Sequence, residues 1–327
     1  MSTGQSKFHF TQERIVFAIA VALFAAFSIF LDKFLTTQNV ISLIQSVSVL
    51  GILGIGMAVA VIGRGIDLSM VATMAMSVAW LLLQVGEGVP LGVAALYALG
   101  FVVLIGVING ILVAYVEIPA LFATLAIGTM VYGFGKYSLV NVDVVYMPET
   151  IGWFGQIGSG RIFGLPTAVL LFAAIGIVGF LFLRYIKGGR FIYAIGDNPQ
   201  TARITGIPVR LIIVLQYVLS ALIAFAAGVI TATAVSSMNT RIINSTLVYD
   251  VILVVVLGGV GLSGGRGGIR NVVVGTLLIG TLLNAMTIMD LTYTVQNIIK
   301  AVILLIAIIV DTVLNPRDEQ TAQQGDI

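Results

Sequence analysis

Cysteine is absent from this 327-residue chain, and histidine occurs once, as His9. No disulfide framework, thiolate metal site, iron–sulfur ligation or cysteine nucleophile can be built, and one imidazole in an N-terminal tail leaves little for metal chemistry. Charge is equally scarce. Sixteen Lys+Arg and 14 Asp+Glu make up 9% of the residues, against roughly 25% in an ordinary soluble domain. That excludes a water-soluble globule. The formal net charge of +2 is too small and too scattered to hold a nucleic acid, and no basic patch with interleaved aromatics occurs. No G-x-x-x-x-G-K-[ST] run exists, so the chain holds no ATP on a phosphate-binding loop.

What is present is apolar. With 59% hydrophobic residues, the chain predicts an all-α, polytopic membrane helix bundle of about ten transmembrane helices. The runs fall at about 15–31, 41–62, 68–85, 91–116, 118–140, 165–185, 211–235, 247–262, 269–289 and 297–314. The first lacks a small-residue cleavage site before Asp32 and Lys33, so it reads as a retained span and not a signal peptide. An even count puts both termini on one side. The positive-inside rule makes that side cytoplasmic, gathering Lys7, Arg14, Arg64, Arg184, Lys187, Arg190, Arg203, Arg210, Arg266, Arg270 and Arg317 inside. Residues 1–327 then form a single transmembrane domain with cytoplasmic tails at 1–14 and 315–327. An external loop lies at 141–164, with Trp153 and Phe154 at headgroup depth, and a cytoplasmic loop at 186–210.

The inner loop carries helix punctuation. Asn198 is a good N-cap, Pro199 suits the first helical position, Gly206 can take the left-handed conformation that ends a helix, and Pro208 blocks continuation. A two-turn helix results. It is too short to be stable alone in water, so it is either a capped connector between spans or a docking element for a cytoplasmic partner.

Glycine interrupts the apolar pattern twice. Gly63-Arg64-Gly65-Ile66-Asp67-Leu68-Ser69 separates two runs by a tight turn, where Arg64 and Asp67 are expected to offset each other and Asp67 or Ser69 to cap the next span. A second break, Gly258 to Gly268, has a similar lead-in and again contains Leu-Ser. Paired breaks point to a transport pathway built from interrupted helices, so Gly65, Asp67, Ser69, Gly258, Gly259, Gly264 and Gly265 are candidate gates or hinges, against a plain reading as turns. Gly259-Val260-Gly261-Leu262-Ser263-Gly264 also matches a dinucleotide fingerprint, but the flanking runs are span-length and no acidic residue follows before Asp290, which makes it a decoy. Among polar residues inside apolar runs, Gln45, Asn109, Thr124 and Asn284 are candidates for a translocation path. Amides and hydroxyls can exchange hydrogen bonds with a neutral, hydroxyl-rich solute, and helix packing is the competing role.

Taken together and in order, several segments resemble one family, the membrane permease subunits of bacterial ABC importers for sugars of the ribose, arabinose, xylose and autoinducer-2 type. They are Gly65-Ile66-Asp67-Leu68-Ser69, Ile118 to Leu125, Gly189 to Gly196, Asn198 to Ile207, and Val256-Leu257-Gly258-Gly259 with Ser263 to Gly267. The chain departs from the family's usual pattern in having Arg64 before Gly65 and Met70-Val71 after Ser69. The resemblance implies a homodimer, or a heterodimer with a related permease, in the bacterial inner membrane. A periplasmic sugar-binding protein would feed it, and separate ATPase subunits would use the ATP and Mg, with no cofactor and no catalysis on this chain. It places Gly196, Asn198, Pro199, Ala202, Arg203, Gly206 and Ile207 in the ATPase-coupling helix. The alternative is a proton- or sodium-coupled secondary transporter of a small neutral solute. That would need an acidic residue at mid-membrane, whereas Asp67, Asp250 and Asp311 fall at expected span ends.

Overall fold

The computed structural model describes residues 12–314. His9, residues 1–11 of the expected N-terminal tail and the expected tail 315–327 lie outside the described residues. Within them the chain is mostly helix: α1 (Gln12–Phe30), α2 (Thr37–Ile62), α3 (Met70–Gly86), α4 (Leu91–Ala114), α5 (Ala120–Phe134), the single turn α6 (Gln156–Ser159), α7 (Thr167–Tyr185), α8 (Lys187–Asp197), α9 (Pro199–Ile204), α10 (Val209–Val235), α11 (Leu247–Gly258), α12 (Ile269–Ile288) and α13 (Tyr293–Leu314). Each of the ten apolar runs carries one of the longer helices. Seven of them, α1, α2, α4, α7, α10, α12 and α13, are long and apolar enough to cross a membrane.

The other three are shorter. α3 has 17 residues, α5 has 15 and continues into a π-turn at Gly135–Leu139, and α11 has only 12. At 1.5 Å per residue, α11 covers about 18 Å of a hydrocarbon layer about 30 Å thick. The expected run 247–262 is therefore helical only as far as Gly258. The reason is local: Gly259 adopts φ 94°, and the N–H groups of Gly259 and Val260 turn back onto the carbonyls of Val256 and Val255 at 3.0 and 3.1 Å. This is a Schellman ending, which satisfies the last carbonyls of the helix.

α2 is apolar all round and forms the centre. In its most apolar stretch 78% of residues are buried, against 11% for α1 and α13, which lie at the periphery. Polar-faced amphipathic helices would be wrong here, since a helix surrounded by other helices has no face to give to water. α10, the longest helix, packs along α4, α2 and α3. Gly106 and Gly110 allow the approach of α4: a β-carbon at either would meet the Val218 or Val214 backbone. In lipid, where apolar burial does not favour one helix neighbour over another, such small-residue seams supply the van der Waals contact that holds helices together. α12 packs on α1, α2 and α11, and α13 on α11.

The bundle has two different ends. At one, β1 (Val144–Tyr146) lies in the segment expected as an external loop, followed by a 3₁₀ stretch at Glu149–Gly155 and a small hairpin of β2 (Arg161–Ile162) and β3 (Leu165–Pro166). β1 pairs antiparallel with β4 (Ser237–Asn239), just beyond α10, with Val145 opposite Met238. Trp153 is exposed but Phe154 is buried, so only the tryptophan of that pair is free to sit at an interface. Asp143 binds Lys136 at 3.0 Å and Arg241 at 2.6 Å. The hydrogen bond from Lys136, then the charge of Arg241, hold its carboxyl below the usual carboxylate range. At the other end lie α8, α9 and both glycine breaks.

One ion pair is nearly dry. Lys300 of α13 sits 2.8 Å from Asp250 Oδ1 of α11 and donates to Thr246 Oγ1 at 2.7 Å, with the two charged side chains 9% and 12% exposed. Removing one partner of such a pair leaves an uncompensated buried charge, at a cost of about 3–5 kcal/mol, whereas replacing both by apolar groups is often neutral. Lys300→Met alone should therefore lower the thermal unfolding midpoint of the detergent-purified protein by several degrees, and Lys300→Met with Asp250→Leu should recover most of the loss. A single variant that melts like the parent would show that the pair does not hold α11 to α13.

Candidate functional site

The inner-loop helix forms as its punctuation predicts. Asn198 is the N-cap of α9 and its side chain accepts from the Thr201 N–H at 2.9 Å. Pro199 stands at the first position, and Gly206 takes φ 84° just beyond the last turn. Ala202 is the one buried residue of α9, while Arg203 and Ile204 are exposed. The helix thus rests on the bundle by a single small side chain and presents the rest outward. α8, ahead of it, is a helix that the loop's punctuation does not announce. Its signal is the spacing of Gly189, Ile192, Ile195 and Gly196, which are its buried residues.

α8 ends in a three-way junction with the two breaks. The N–H of Gly265 donates to the carbonyl of Ile62, the last residue of α2, at 2.8 Å. Arg64 donates from Nε to the Gly196 carbonyl at 2.7 Å and from an Nη to the Asp197 carbonyl at 2.6 Å. The contact leaves no room for side chains: a β-carbon at Gly196 would strike the Ile62 carbonyl oxygen and the Gly265 nitrogen, and one at Gly264 would strike Arg64 Cγ. Nearby, the Tyr193 hydroxyl donates to the Gly267 carbonyl at 2.7 Å, and burial raises the phenol above its usual pKa. Gly264 and Gly265 thus bring the second break onto the first break and the end of α8 through their backbones, while Gly65 and Gly259 close the turns that end α2 and α11, and Gly258 lies against Asn271 of α12.

Arg64 and Asp67 do not offset each other as expected. The guanidinium reaches across to α8, while Asp67, 1% exposed, points into the bundle. Its Oδ1 accepts from the Ser69 N–H at 3.0 Å and the Ser69 hydroxyl at 2.6 Å, and its Oδ2 accepts from Ser220 of α10 at 2.7 Å. Asp67 therefore braces the turn just ahead of α3 by binding Ser69 itself, and Ser69, the N-cap residue by position, makes no side-chain cap bond of its own. The physical reason is reach. The left-handed turn at Arg64 aims its side chain away from Asp67, and two hydroxyls provide the donors that a cation would otherwise supply.

Two of the four path candidates join this cluster. Asn109 of α4 donates to the Ser69 hydroxyl oxygen at 2.7 Å, and Thr124 of α5 accepts from the Leu68 N–H at 3.1 Å and lies 3.0 Å from the Ile66 carbonyl. Thr124 thus serves the backbone of the break directly, and Asn109 serves it through the Ser69 hydroxyl. Asn109 Oδ1 and Gln216 Oε1, the latter beside Gly63, are buried without a hydrogen-bond partner among the described residues. Ser220 and Gln216, one turn apart on α10, complete the surroundings of the break, and their i, i+4 spacing on one helix face is the only trace of this in the sequence. Asn284 lies elsewhere, in a reciprocal amide pair with Asn39 at 2.8 and 3.0 Å near the far ends of α12 and α2, and Gln45 is half-buried on α2. A cavity of about 350 Å³ opens between the first break, the α4–α5 loop and α9, lined in part by Arg64, Glu117, Arg203, Arg210 and Gln216. No cluster of three or more His, Cys, Asp or Glu able to hold a metal occurs among the described residues.

Interrupted helices in an apolar multi-helix bundle, with a capped surface helix joined to the interruptions through α8, define a multi-pass integral membrane protein of the transport-permease class. Residues 39–310 match the family described as "Branched-chain amino acid transport system / permease component", and the chain belongs to that family. Among similar proteins, the ribose import permease protein of Escherichia coli K12 is 34% identical over 306 residues, 92% of this chain and 93% of that protein. The ribose import permease protein of Bacillus subtilis 168 is 31% identical, covering 95% and 97% of the two chains. The L-arabinose transport system permease protein of E. coli K12 is 34% identical, covering 91% and 88%. No solved structure matches the chain.

The junction has a direct physical check. Gly196→Val places methyl groups where the Ile62 carbonyl and Gly265 backbone stand, so α8 and α9 should detach while the spans remain inserted. Trypsin should then cleave at Arg203 and Arg210 at least several-fold faster than in the parent. Equal cleavage rates would mean that the close approach is dispensable.

Proposed function

We propose that this chain is the transmembrane permease subunit of an ATP-binding-cassette importer that moves a monosaccharide or similar polyol across the bacterial inner membrane. The observation that carries this reading is the junction just described. α9 presents an exposed surface on one side and, through α8, touches both interrupted helices on the other. A helix so placed passes force from a partner to the interruptions, and a separate ATPase is the partner whose cycle can supply it. The ATPase uses the ATP and Mg, and this chain binds neither.

In this reading Gly196, Asn198, Pro199, Ala202, Arg203, Gly206 and Ile207 form the coupling element, and the two breaks gate a path to which Asn109, Thr124, Gln45 and Asn284 contribute. A periplasmic binding protein delivers the solute at the end carrying β1 and β4, and two permease chains, identical or related, enclose the pore. All ten apolar helices are embedded, with the termini and α8–α9 on the cytoplasmic side. The family description names branched-chain amino acids, whereas the relatives above are named for ribose and L-arabinose. The polar groups gathered at the first break favour the sugar. Those packed around Asp67 are amides and hydroxyls, and that carboxylate is already engaged by Ser69 and Ser220, so this buried cluster offers a zwitterion no free charged pair.

Reconstitution in proteoliposomes tests this directly. Uptake should require ATP, the ATPase and the binding protein together, and Ala202→Glu or Gly206→Pro should abolish both ATPase association and uptake without preventing membrane insertion. Uptake driven by an ion gradient with the permease alone would overturn the proposal in favour of a secondary transporter. Because the chain has no cysteine, sidedness is readable from single-cysteine variants. Thr205→Cys should react with an impermeant maleimide only from the cytoplasmic face and Ser159→Cys only from the outer face, and the reverse pattern would invert the proposed orientation.

A further inference from the structure

Both interrupted helices end in the same backbone motif, but with different residues at its left-handed position. At the end of α11 that position is Gly259, φ 94°, with Val260 N–H bonded to Val255 O and Gly259 N–H to Val256 O. At the end of α2 the corresponding bonds run from Gly65 N–H to Ala60 O at 2.8 Å and from Arg64 N–H to Val61 O at 2.9 Å. The left-handed residue there is Arg64, φ 65°. An L-residue with a side chain is strained in this conformation, and glycine is the usual occupant of the position. The turn therefore gains nothing from an arginine as a turn. Strain of this kind persists where the surrounding structure makes use of the residue.

What the side chain reaches accounts for it. Its Nε and an Nη bond the carbonyls of Gly196 and Asp197, the last two residues of α8. Those carbonyls belong to the final turn, which lacks intrahelical N–H partners and forms the negative end of the helix dipole, where a cation is favoured. Arginine's planar fork can engage both acceptors at once, which a lysine ammonium on a flexible stem does less rigidly. One residue further on, Asn198 caps α9. A guanidinium on the backbone of the first break thus holds the residues immediately ahead of the coupling element, two residues from the Ile62 carbonyl that Gly265 of the second break also binds.

Resting on the importer reading above, we propose that Arg64 is the positioning residue that makes movement of α9 and movement of the first break one motion. It acts by keeping the end of α8 attached to the interruption while the partner ATPase displaces α9. Without it, α9 can follow the ATPase while the break stays still, so that hydrolysis is spent without transport.

The test uses the complete reconstituted importer, permease with ATPase and binding protein, and reads solute moved per ATP hydrolysed. Arg64→Gly fits the left-handed turn without strain and should insert, assemble and show a thermal midpoint close to the parent's, yet the ratio should fall at least tenfold. Arg64→Lys should restore part of it, remaining at least threefold below the parent. A merely structural arginine would change the midpoint and the assembled fraction but not this ratio. A parental ratio in Arg64→Gly overturns the proposal. If that variant fails to assemble, a parental ratio in Arg64→Lys overturns the claim that both bonds of the fork are needed. Failure of the parent complex to show any ATP-dependent uptake would instead overturn the importer reading, so the two failures are distinguishable.

Discussion

A helix interrupted inside a low-dielectric bundle leaves backbone N–H and C=O groups that water cannot reach, and each must find a partner within the protein. Much of the organisation at one end of this molecule follows from that requirement. The Ile62 carbonyl is met by Gly265, the Leu68 and Ser69 N–H groups by Thr124 and Asp67, the Gly258 carbonyl by Asn271, and the last carbonyls of α8 by Arg64. Because the partners come from different helices, satisfying the interruptions also welds α2, α5, α8, α11 and α12 into one unit.

The weld is made of short side chains and bare backbone. Gly196, Gly264 and Gly265 admit main-chain contact that a single methyl group would prevent, so a shift of a few tenths of an ångström in one segment must be felt by the others. Packed interfaces of this kind change between discrete arrangements and do not deform continuously, which suits a gate. α9 differs. It has one buried residue and well-formed caps, and it packs chiefly on α8 and the start of α10.

Asp67 shows how a carboxylate is accommodated by hydroxyl and backbone N–H donors. Three donors from Ser69 and Ser220 surround it, and Asn109 supports the Ser69 hydroxyl in turn. The contrast with Lys300 and Asp250 is instructive: there the pairing is direct, and it joins α11 to α13 on the flank of the bundle, away from the interruptions. Direct pairing fixes two helices, while a chain of hydroxyls and amides fixes the backbone turn itself.

Scarce charge, absent cysteine and ten apolar runs were enough to establish a membrane bundle, because burying a chain in lipid depends on composition and length, both of which are local. The caps of α9 were equally legible, since Asn198, Pro199 and Gly206 act on one short stretch of backbone. What the sequence could not reveal was distance across the fold. The spacing of Arg64 and Asp67 suggested a pair, and only the left-handed turn showed them facing opposite ways. Asn109 and Asn284 looked alike along the chain, yet one serves the interruption and the other ties helix ends far from it. α11 stops at Gly258 for a local reason, the left-handed Gly259, but which residues the chain meets beyond it was decided by contacts between segments many residues apart, and no periodicity along a single stretch of sequence encodes those.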